Sequence, residues 1–245
     1  MKAFILAAGL GTRLQPYTTE LPKALVLVQG TPMIEIVIKR LIKYGIKDIT
    51  INLHHFADKI KSFIESKNNF GINITYSYEQ ELLDTGGAIK QARNLLLDTH
   101  PVIIHNVDIL SDIDFHKMKR QFEKNNADVL LAVKQRKTSR YLLFNNQNRM
   151  VGWKNIKTGD TILLSNINTS KLNAYAFSGI HLISQDALNI IAEYPHKIFS
   201  ITKFYLENME KIKIYGFLHN SKFVMDLGKI DNLETAQYLD LKKFL

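Results

Sequence analysis

Short apolar runs alternate with segments of helical periodicity along the first hundred residues of this chain. The apolar runs are Ala3 to Ala8, Asp48 to Leu53 and Ile72 to Tyr76, and the helical segments after them are 33–44, 56–66 and 87–96. Such alternation predicts parallel strands joined by crossover helices. The next run, Pro101 to Asn106, is almost wholly apolar, as expected of a central strand covered on both faces. The sequence therefore predicts an α/β fold with a mostly parallel central sheet.

The pattern changes beyond residue 125 to shorter pieces. Tyr141 to Phe144 and Met150 to Trp153 are separated by Asn145-Asn146-Gln147-Asn148, which indicates a hairpin. Strand-like runs follow at 175–183 and 212–217, and residues 231–241 form a predicted final helix. At 245 residues and 46% hydrophobic, one large domain is the simplest organisation. We predict a single domain, 1–245, with halves of about 1–125 and 126–245.

The charge balance is basic but dispersed. Lysine and arginine outnumber aspartate and glutamate by 32 to 23, giving a net charge of +9. The lysines recur singly, which indicates solvated faces and no nucleic-acid partner. Cysteine is absent, which excludes disulfides and thiolate metal sites. No signal-peptide pattern and no membrane-length apolar segment occur, so we expect a cytoplasmic protein without a membrane partner.

A glycine-rich loop follows the first apolar run. Residues 6–25 read LAAGLGTRLQPYTTELPKAL. Small residues allow close approach to a ligand, successive backbone amides bind anions, and Arg13 and Lys23 add positive charge. Neither the dinucleotide fingerprint nor the P-loop pattern is present. The loop predicts a nucleoside triphosphate site formed by Leu6, Ala7, Ala8, Gly9, Gly11 and Thr12.

Polar residues mark the ends of several predicted strands. Asn52, Glu79 and Asp108 follow apolar runs, and ligands of open α/β sheets bind at the carboxyl ends of strands. Asp226 similarly ends the run Phe223-Val224-Met225-Asp226. Two carboxylates together with phosphate oxygens suit Mg²⁺. The alternative for each aspartate is a capping or turn role.

The loop resembles the signature of the sugar-phosphate nucleotidyltransferases, L-A-A-G-x-G-T-R-L-x-P-x-T-x-x-x-P-K-x-L, at every fixed position. Short members of this family are typified by N-acetylmuramate 1-phosphate uridylyltransferase and by mannose 1-phosphate guanylyltransferase-like proteins. The resemblance implies a Rossmann-like three-layer α/β/α sandwich, with a nucleotide-binding first half and a small sugar-binding subdomain in the second. It also implies condensation of a nucleoside triphosphate, with UTP favoured, and a sugar 1-phosphate, in nucleotide-sugar biosynthesis for cell-envelope polysaccharide. Pyrophosphate is released and Mg²⁺ is the cofactor, as in activities of EC class 2.7.7. We expect a monomer or homodimer.

The resemblance extends to the charged residues. It implies that Arg13 grips the β and γ phosphates, that Lys23 neutralises the α-phosphate, and that Asp108 and Asp226 bind Mg²⁺. Asn106-Val107 stands before Asp108 where many relatives have glycine next to the aspartate. The second carboxylate matches a D-x-G element.

Further site residues come from shorter matches. The segment from Glu79 to Ala88 resembles the family element E-x-x-x-L-x-T-G-G-A. This implies that Glu79, Gly86 and Gly87 bind the nucleotide with Thr85, which could also cap the following helix. The predicted sugar-phosphate residues are Asn52, Asn106, Lys154 and Gly179. Trp153 precedes Lys154 where relatives usually have an acid, so it could instead stack on a ring.

Simpler alternatives stand beside several of these assignments. Lys154 could be a surface lysine beside a core tryptophan, Gly179 a strand bulge, and Asn52 a strand end. His54 and His55 lack the other ligands that zinc requires and are interpreted as a strand-end pair. The chain has no room for the acyltransferase domain of longer relatives, so no acetyltransferase activity is expected. Alternative functions are a phosphocholine-type cytidylyltransferase and a non-catalytic nucleotide-sugar-binding regulator.

Overall fold

The structure is a computed structural model that describes residues 1–165, 167 and 169–241. The described strands are β1 (Ala3–Leu6), β2 (Leu27–Val28), β3 (Thr31–Pro32), β4 (Asp48–Leu53), β5 (Asn73–Tyr78), β6 (Val102–Asn106), β7 (Ile109–Ser111), β8 (Val129–Lys134), β9 (Arg140–Phe144), β10 (Met150–Asn155), β11 (Thr161–Leu163), β12 (Asn173–Ile183), β13 (Ile214–Leu218) and β14 (Val224–Asp226). The described helices are α1 (Met33–Lys43), α2 (Ala57–Ser66), α3 (Asp84–Leu96), α4 (Phe115–Lys124), α5 (Gln185–Ala192), α6 (Ile201–Asn208) and α7 (Ile230–Ala236). The predicted second half, 126–245, thus includes residues 166, 168 and 242–245, which lie outside the described part.

The central sheet has the order β5-β4-β1-β6-β12-β8-β13. Its strands run in one direction except β12, which is antiparallel to β6 and β8. The predicted mostly parallel sheet is therefore confirmed. The carboxyl ends of β1, β4, β5 and β6 come to one edge, where the glycine loop leaves β1. This edge is where an open α/β sheet binds ligands.

Helices cover both faces of this sheet. Within β1, Ala3 and Ile5 are buried with the apolar faces of α1, α2 and α4, while Phe4 is buried with α3, α5 and α6. Successive strand residues point to opposite faces, so a strand of continuous apolar character is what a sheet covered on both sides requires. The predicted three-layer α/β/α sandwich is confirmed.

The pieces beyond residue 125 contribute to the same sheet. Strands β8, β12 and β13 complete it, and the predicted hairpin is present as β9 and β10. Strand β9 pairs with the first residues of β12, and β11 pairs with β10, so an antiparallel extension rises beside the carboxyl edge. Asn145 Oδ1 accepts from the amides of Gln147 and Arg149 in the hairpin loop.

The final helix is shorter than the predicted 231–241. Helix α7 ends at Ala236, whose carbonyl oxygen accepts a hydrogen bond from Gln29 Nε2 at 2.9 Å. Gln237 Oε1 in turn accepts from the backbone amide of Gln29. These side-chain contacts satisfy the end of the helix and tie it to the turn between β2 and β3. None of the helices in the described part of the chain is both long and apolar enough to cross a bilayer.

His181, near the end of β12, makes stability depend on pH. Its ring is buried, both ring nitrogens lack a hydrogen-bond partner, and burial lowers the pKa of His181 to about 3 from 6.5. The neutral ring packs edge-on against Tyr205. Below pH 6.5 the unfolded chain protonates this histidine, whereas the folded chain keeps the ring neutral. The contribution of the neutral ring to the free energy of unfolding is therefore complete above pH 6.5 and is lost as the pH falls toward 3.

We therefore expect the free energy of unfolding to fall by about 1.4 kcal/mol per pH unit for this histidine as pH drops below 6.5. His181→Phe should reduce that slope, measured by urea denaturation between pH 7 and 4.5. The control is His196→Phe, at an exposed position. Identical slopes for the two variants would refute the assignment.

Candidate active site

A cavity of about 230 Å³ opens at the carboxyl edge of the sheet. It is lined by Leu6, Ala8, Gly9, Arg13, Lys23, Asn52, Glu79, Leu82, Asp84, Thr85, Asn106 and Asp108. The lining combines the glycine loop with the ends of β4, β5 and β6, as the sequence predicted. Gly9 lies against the ammonium of Lys23, and a Cβ built on Gly9 would be 3.9 Å from that nitrogen.

A buried amide–carboxylate pair shapes the loop. Asn52 Oδ1 accepts hydrogen bonds from the amides of Ala7 at 2.6 Å and Ala8 at 3.3 Å. Its Nδ2 donates to Glu79 Oε1 at 2.7 Å, and Glu79 Oε2 accepts from the amide of Leu83 at 3.1 Å. The polar atoms of both side chains are thus engaged with protein. The structure gives both a positioning role. Both also line the cavity, so the sugar contact of Asn52 and the nucleotide contact of Glu79 stay predictions.

Cations and carboxylates alternate on the other side of the cavity. Lys23 Nζ lies 2.8 Å from Asp108 Oδ2, and both side chains are largely buried. Arg13 Nη1 lies 3.9 Å from Asp226 Oδ2 and is 62% exposed. Strand β14 pairs with β7, directly after Asp108, which brings the two aspartates together from positions more than a hundred residues apart.

Gly228 packs closely against both carboxylates. A Cβ built there would lie 2.7 Å from Asp108 Oδ2, 2.9 Å from Asp226 Oδ1 and 3.0 Å from Arg13 Nη2. The two carboxylate oxygens are therefore separated by no more than the sum of the first two distances. Two hard oxygen donors this close to each other fit a divalent cation that completes its shell with phosphate or water. The described residues contain no group of three or more acidic, histidine or cysteine side chains suited to a metal.

The start of α3 differs from its prediction. Thr85 does not cap the helix with its side chain, because its Oγ1 accepts from the amide of Ile201 at 2.9 Å. The amides of Gly86 and Gly87 donate to the carbonyl of Phe199. A Cβ on Gly86 would be 2.3 Å from the Phe199 ring, and one on Gly87 would be 2.3 Å from Lys197 O. Packing against the segment 197–199 therefore accounts for both glycines, and their contact with a base stays a prediction.

The remaining predicted residues lie around the cavity at different distances. Gly179 is in a bulge of β12 with φ +73°, and a Cβ there would be 3.2 Å from Asn106 Nδ2. Gly11 has φ +67° and packs on Thr18 and Lys23, while Thr12 begins a 3-10 turn. Lys154 lies apart from the lining residues, with its ammonium over the Tyr141 ring. Gly179 therefore forms the strand bulge that was its alternative role, and it also lies close to the cavity.

Three residues of the site carried no prediction. Leu82 and Asp84 line the cavity, and Gly228 lets the chain pack closely against both carboxylates. The D-x-G spacing was a signal for Gly228, since a glycine two residues after a carboxylate allows close approach of another group. His54 lies at a strand end as interpreted, with Nδ1 2.9 Å from the carbonyl oxygen of Glu79.

Comparison with protein-family models finds a match over much of the chain. The family model for nucleotidyl transferases matches residues 2–149, which is more than half of the chain. A mannose-1-phosphate guanyltransferase of Gibberella zeae is 38% identical over 48% of this chain and 33% of its own length. An N-acetylmuramate alpha-1-phosphate uridylyltransferase of Caulobacter vibrioides is 39% identical over 43% of this chain and 45% of its own. The matches thus span less than half the length of these curated relatives.

A similar fold occurs among solved structures. The crystal structure of HddC from Yersinia pseudotuberculosis superposes with a TM-score of 0.77 at 24% identity, covering 100% of this chain and 99% of that one. At this identity the likeness establishes a shared fold. It agrees with the Rossmann-like sandwich derived from the sheet order.

The pairing of Asn52 with Glu79 can be tested by exchanging the two chemical groups. Asn52→Asp alone places two carboxylates within hydrogen-bond distance, and we expect a loss of about 3 kcal/mol or more in the free energy of unfolding. Glu79→Gln alone leaves one buried donor without an acceptor and costs about 1–3 kcal/mol. The double variant restores an amide donor opposite a carboxylate and acceptors for Ala7, Ala8 and Leu83.

We expect the double variant to recover most of the lost stability, measured by urea denaturation as a double-mutant cycle. Additive losses would show that the two side chains act independently and would overturn the positioning role.

Proposed function

Because the chain belongs to the nucleotidyl transferase family, we propose that it joins a nucleoside triphosphate to a sugar 1-phosphate and releases pyrophosphate. The observation that carries this proposal is the meeting of the glycine loop, two cations and two carboxylates at one edge of the sheet. Both substrates are polyanions, and this arrangement supplies what they need: backbone amides, fixed positive charge and a place for a divalent cation.

The chemistry asks for placement more than for proton transfer. A phosphate oxygen of the sugar 1-phosphate attacks the α-phosphorus, one P–O bond forms, and the bond to pyrophosphate breaks. The attacking oxygen is already ionised, so no general base is required. Catalysis then depends on alignment and charge stabilisation. Lys23, fixed in the cavity, suits the α-phosphate, and the exposed fork of Arg13 suits the β and γ phosphates.

Asp108 and Asp226 are the residues that would hold Mg²⁺. The short separation of their carboxylate oxygens beside Gly228 is the feature that fits the ion. When bound, the ion would supply positive charge that offsets repulsion between the phosphates. Asp108 also holds the Lys23 ammonium through Oδ2, so the carboxylate orients the lysine as well.

We propose UTP as the favoured triphosphate. The uridylyltransferase of Caulobacter vibrioides is 39% identical, and the matched region is a larger share of that relative than of the guanyltransferase. GTP is the second candidate because the Gibberella zeae guanyltransferase is 38% identical.

The two alternative functions fit the residues less well. A phosphocholine acceptor needs an aromatic cage around a quaternary ammonium. The aromatic residues Trp153 and Phe177 lie instead in a cavity whose charged lining is three cations and one carboxylate, which opposes a cationic ligand. A non-catalytic regulator does not require the charged groups of a reactive site, yet Arg13, Lys23, Asp108 and Asp226 are all brought together here.

The proposal is tested by incubating the protein with Mg²⁺, each triphosphate and a panel of sugar 1-phosphates, and measuring pyrophosphate. Lys23→Ala, Asp108→Asn and Asp226→Asn should each lower kcat by about 10² or more, as expected for loss of a charge-stabilising group. The control is Asp186→Asn, which alters an exposed carboxylate on α5. No pyrophosphate with any pair, or near-normal turnover of the three variants, would refute the proposal.

Gly228→Ala tests the cation site without changing any charge. The added methyl group would lie within 3 Å of both carboxylates, and the backbone of Gly228 lies outside the left-handed region. We expect a loss of about 10² in kcat, with a higher Mg²⁺ concentration for half-maximal rate. Unchanged Mg²⁺ dependence would place the ion elsewhere.

A further inference from the structure

A second cavity, of about 570 Å³, lies beside the first and is larger. It is formed between the antiparallel extension β9–β12 and helix α6. The lining residues are Arg136, Thr138, Arg140, Leu142, Trp153, Ile162, Ala176, Phe177, Ser200, Thr202, Lys203, Leu206 and Glu207. The described residues thus combine an apolar interior with a polar margin, which is typical of a small-molecule site.

Two short connections join this cavity to the proposed reaction site. Thr85 lines the first cavity and accepts from the amide of Ile201, whose neighbours on both sides in the chain line the second. Phe177 lines the second cavity two residues before Gly179, which packs on Asn106 of the first. A ligand held on Trp153 and Phe177 therefore lies next to the groups proposed to bind the triphosphate.

The margin of this second cavity is positively charged. Arg136, Arg140 and Lys203 are exposed, and Glu207 is the one carboxylate among the described lining residues. Glu207 is already engaged by Lys203 at 3.8 Å and by the hydroxyl of Tyr194. Within the described chain, no carboxylate lies within ion-pair distance of either arginine; Arg136 donates to the carbonyl of Phe177. Two arginine forks are thus available to an anion.

We propose that the acceptor carries a second anionic group besides its 1-phosphate, a carboxylate or another phosphate, which Arg136 and Arg140 bind while Trp153 contacts the sugar ring. This inference rests on the proposed function, since it assigns the acceptor of that reaction. Guanidinium groups bind both carboxylate and phosphate in bidentate geometry. An aromatic face contributes apolar contact with the ring.

The test compares acceptors with and without the second anionic group. N-acetylmuramate 1-phosphate and N-acetylglucosamine 1-phosphate differ by a lactyl ether that carries a carboxylate, and mannose 1,6-bisphosphate and mannose 1-phosphate differ by a phosphate. We expect kcat/KM to be at least about 10-fold higher for the member of one pair that carries the second anionic group, and the preference to weaken with added salt because the arginines are exposed. A preference within the first pair would identify the second anionic group as a carboxylate, and a preference within the second pair would identify it as a phosphate.

Two variants and a control locate the effect. Arg136→Gln and Arg140→Gln should each reduce the preference several-fold, through a larger fall in kcat/KM for the acceptor that carries the second anionic group. The control is Arg120→Gln, an exposed arginine on α4, which packs on the opposite face of the sheet. Trp153 is the single tryptophan of the chain, so quenching of its fluorescence measures acceptor binding in this cavity directly.

The outcomes separate the two proposals. Equal kcat/KM and equal fluorescence affinity within both pairs, with pyrophosphate formed, would overturn the second anion and leave the proposed function standing. A preference that survives both arginine substitutions would also overturn it. No pyrophosphate with any acceptor, despite tighter binding of an anionic sugar detected by Trp153, would overturn the proposed function instead.

Discussion

The hydrogen bond between Asn52 and Glu79 is the contact on which the geometry of the cleft depends. Asn52 turns the amides of Ala7 and Ala8 inward at the end of β1, and Glu79 fixes the amide of Leu83 just before α3. Three strand ends are thus joined by one buried pair whose polar atoms are satisfied. Since an unpaired buried carboxylate costs several kcal/mol, the pair also excludes alternative arrangements of these loops. The direction of the glycine loop follows from it, and with it the position of Arg13 and Lys23.

Three glycines impose a second constraint. Because they have no side chains, the two halves of the molecule can pack closely at these positions. Gly86 and Gly87 allow the start of α3 to touch the segment 197–199, which leads directly into α6. Gly228 allows the end of β14 to approach Asp108. Both contacts join the first 125 residues to the last 60, and each comes at the edge where the strands end. Close backbone approach therefore brings the second cavity next to the first, and brings Asp226 next to Asp108.

Sequence reasoning predicted what depends on local pattern and missed what depends on distant contacts. Strand β4 has its predicted bounds because an apolar run between polar ends defines it. The loop spacing singled out Lys23, and the position after an apolar run singled out Asp108, and the two side chains meet in the structure. Helix α4 was not predicted, since only Phe115, Met118 and Phe122 of its ten residues are buried in a strongly charged segment. The Phe199 carbonyl that binds the Gly86 and Gly87 amides lies over a hundred residues away, and no local signal reports it. The Lys154 ammonium lies over the Tyr141 ring, and its sugar-phosphate contact stays a prediction.

The two cavities differ in how their positive charge is compensated. Inside the cleft, Lys23 is paired with Asp108, so the free protein does not bury an isolated charge, and a phosphate or metal can later replace either partner. At the margin of the second cavity, the arginines are exposed to water and need no carboxylate to be stable there. Exposed, unpaired cations attract anions over a Debye length, whereas buried, paired ones act only on contact. Attraction at the outer margin and alignment within the cleft are therefore separable contributions of different residues.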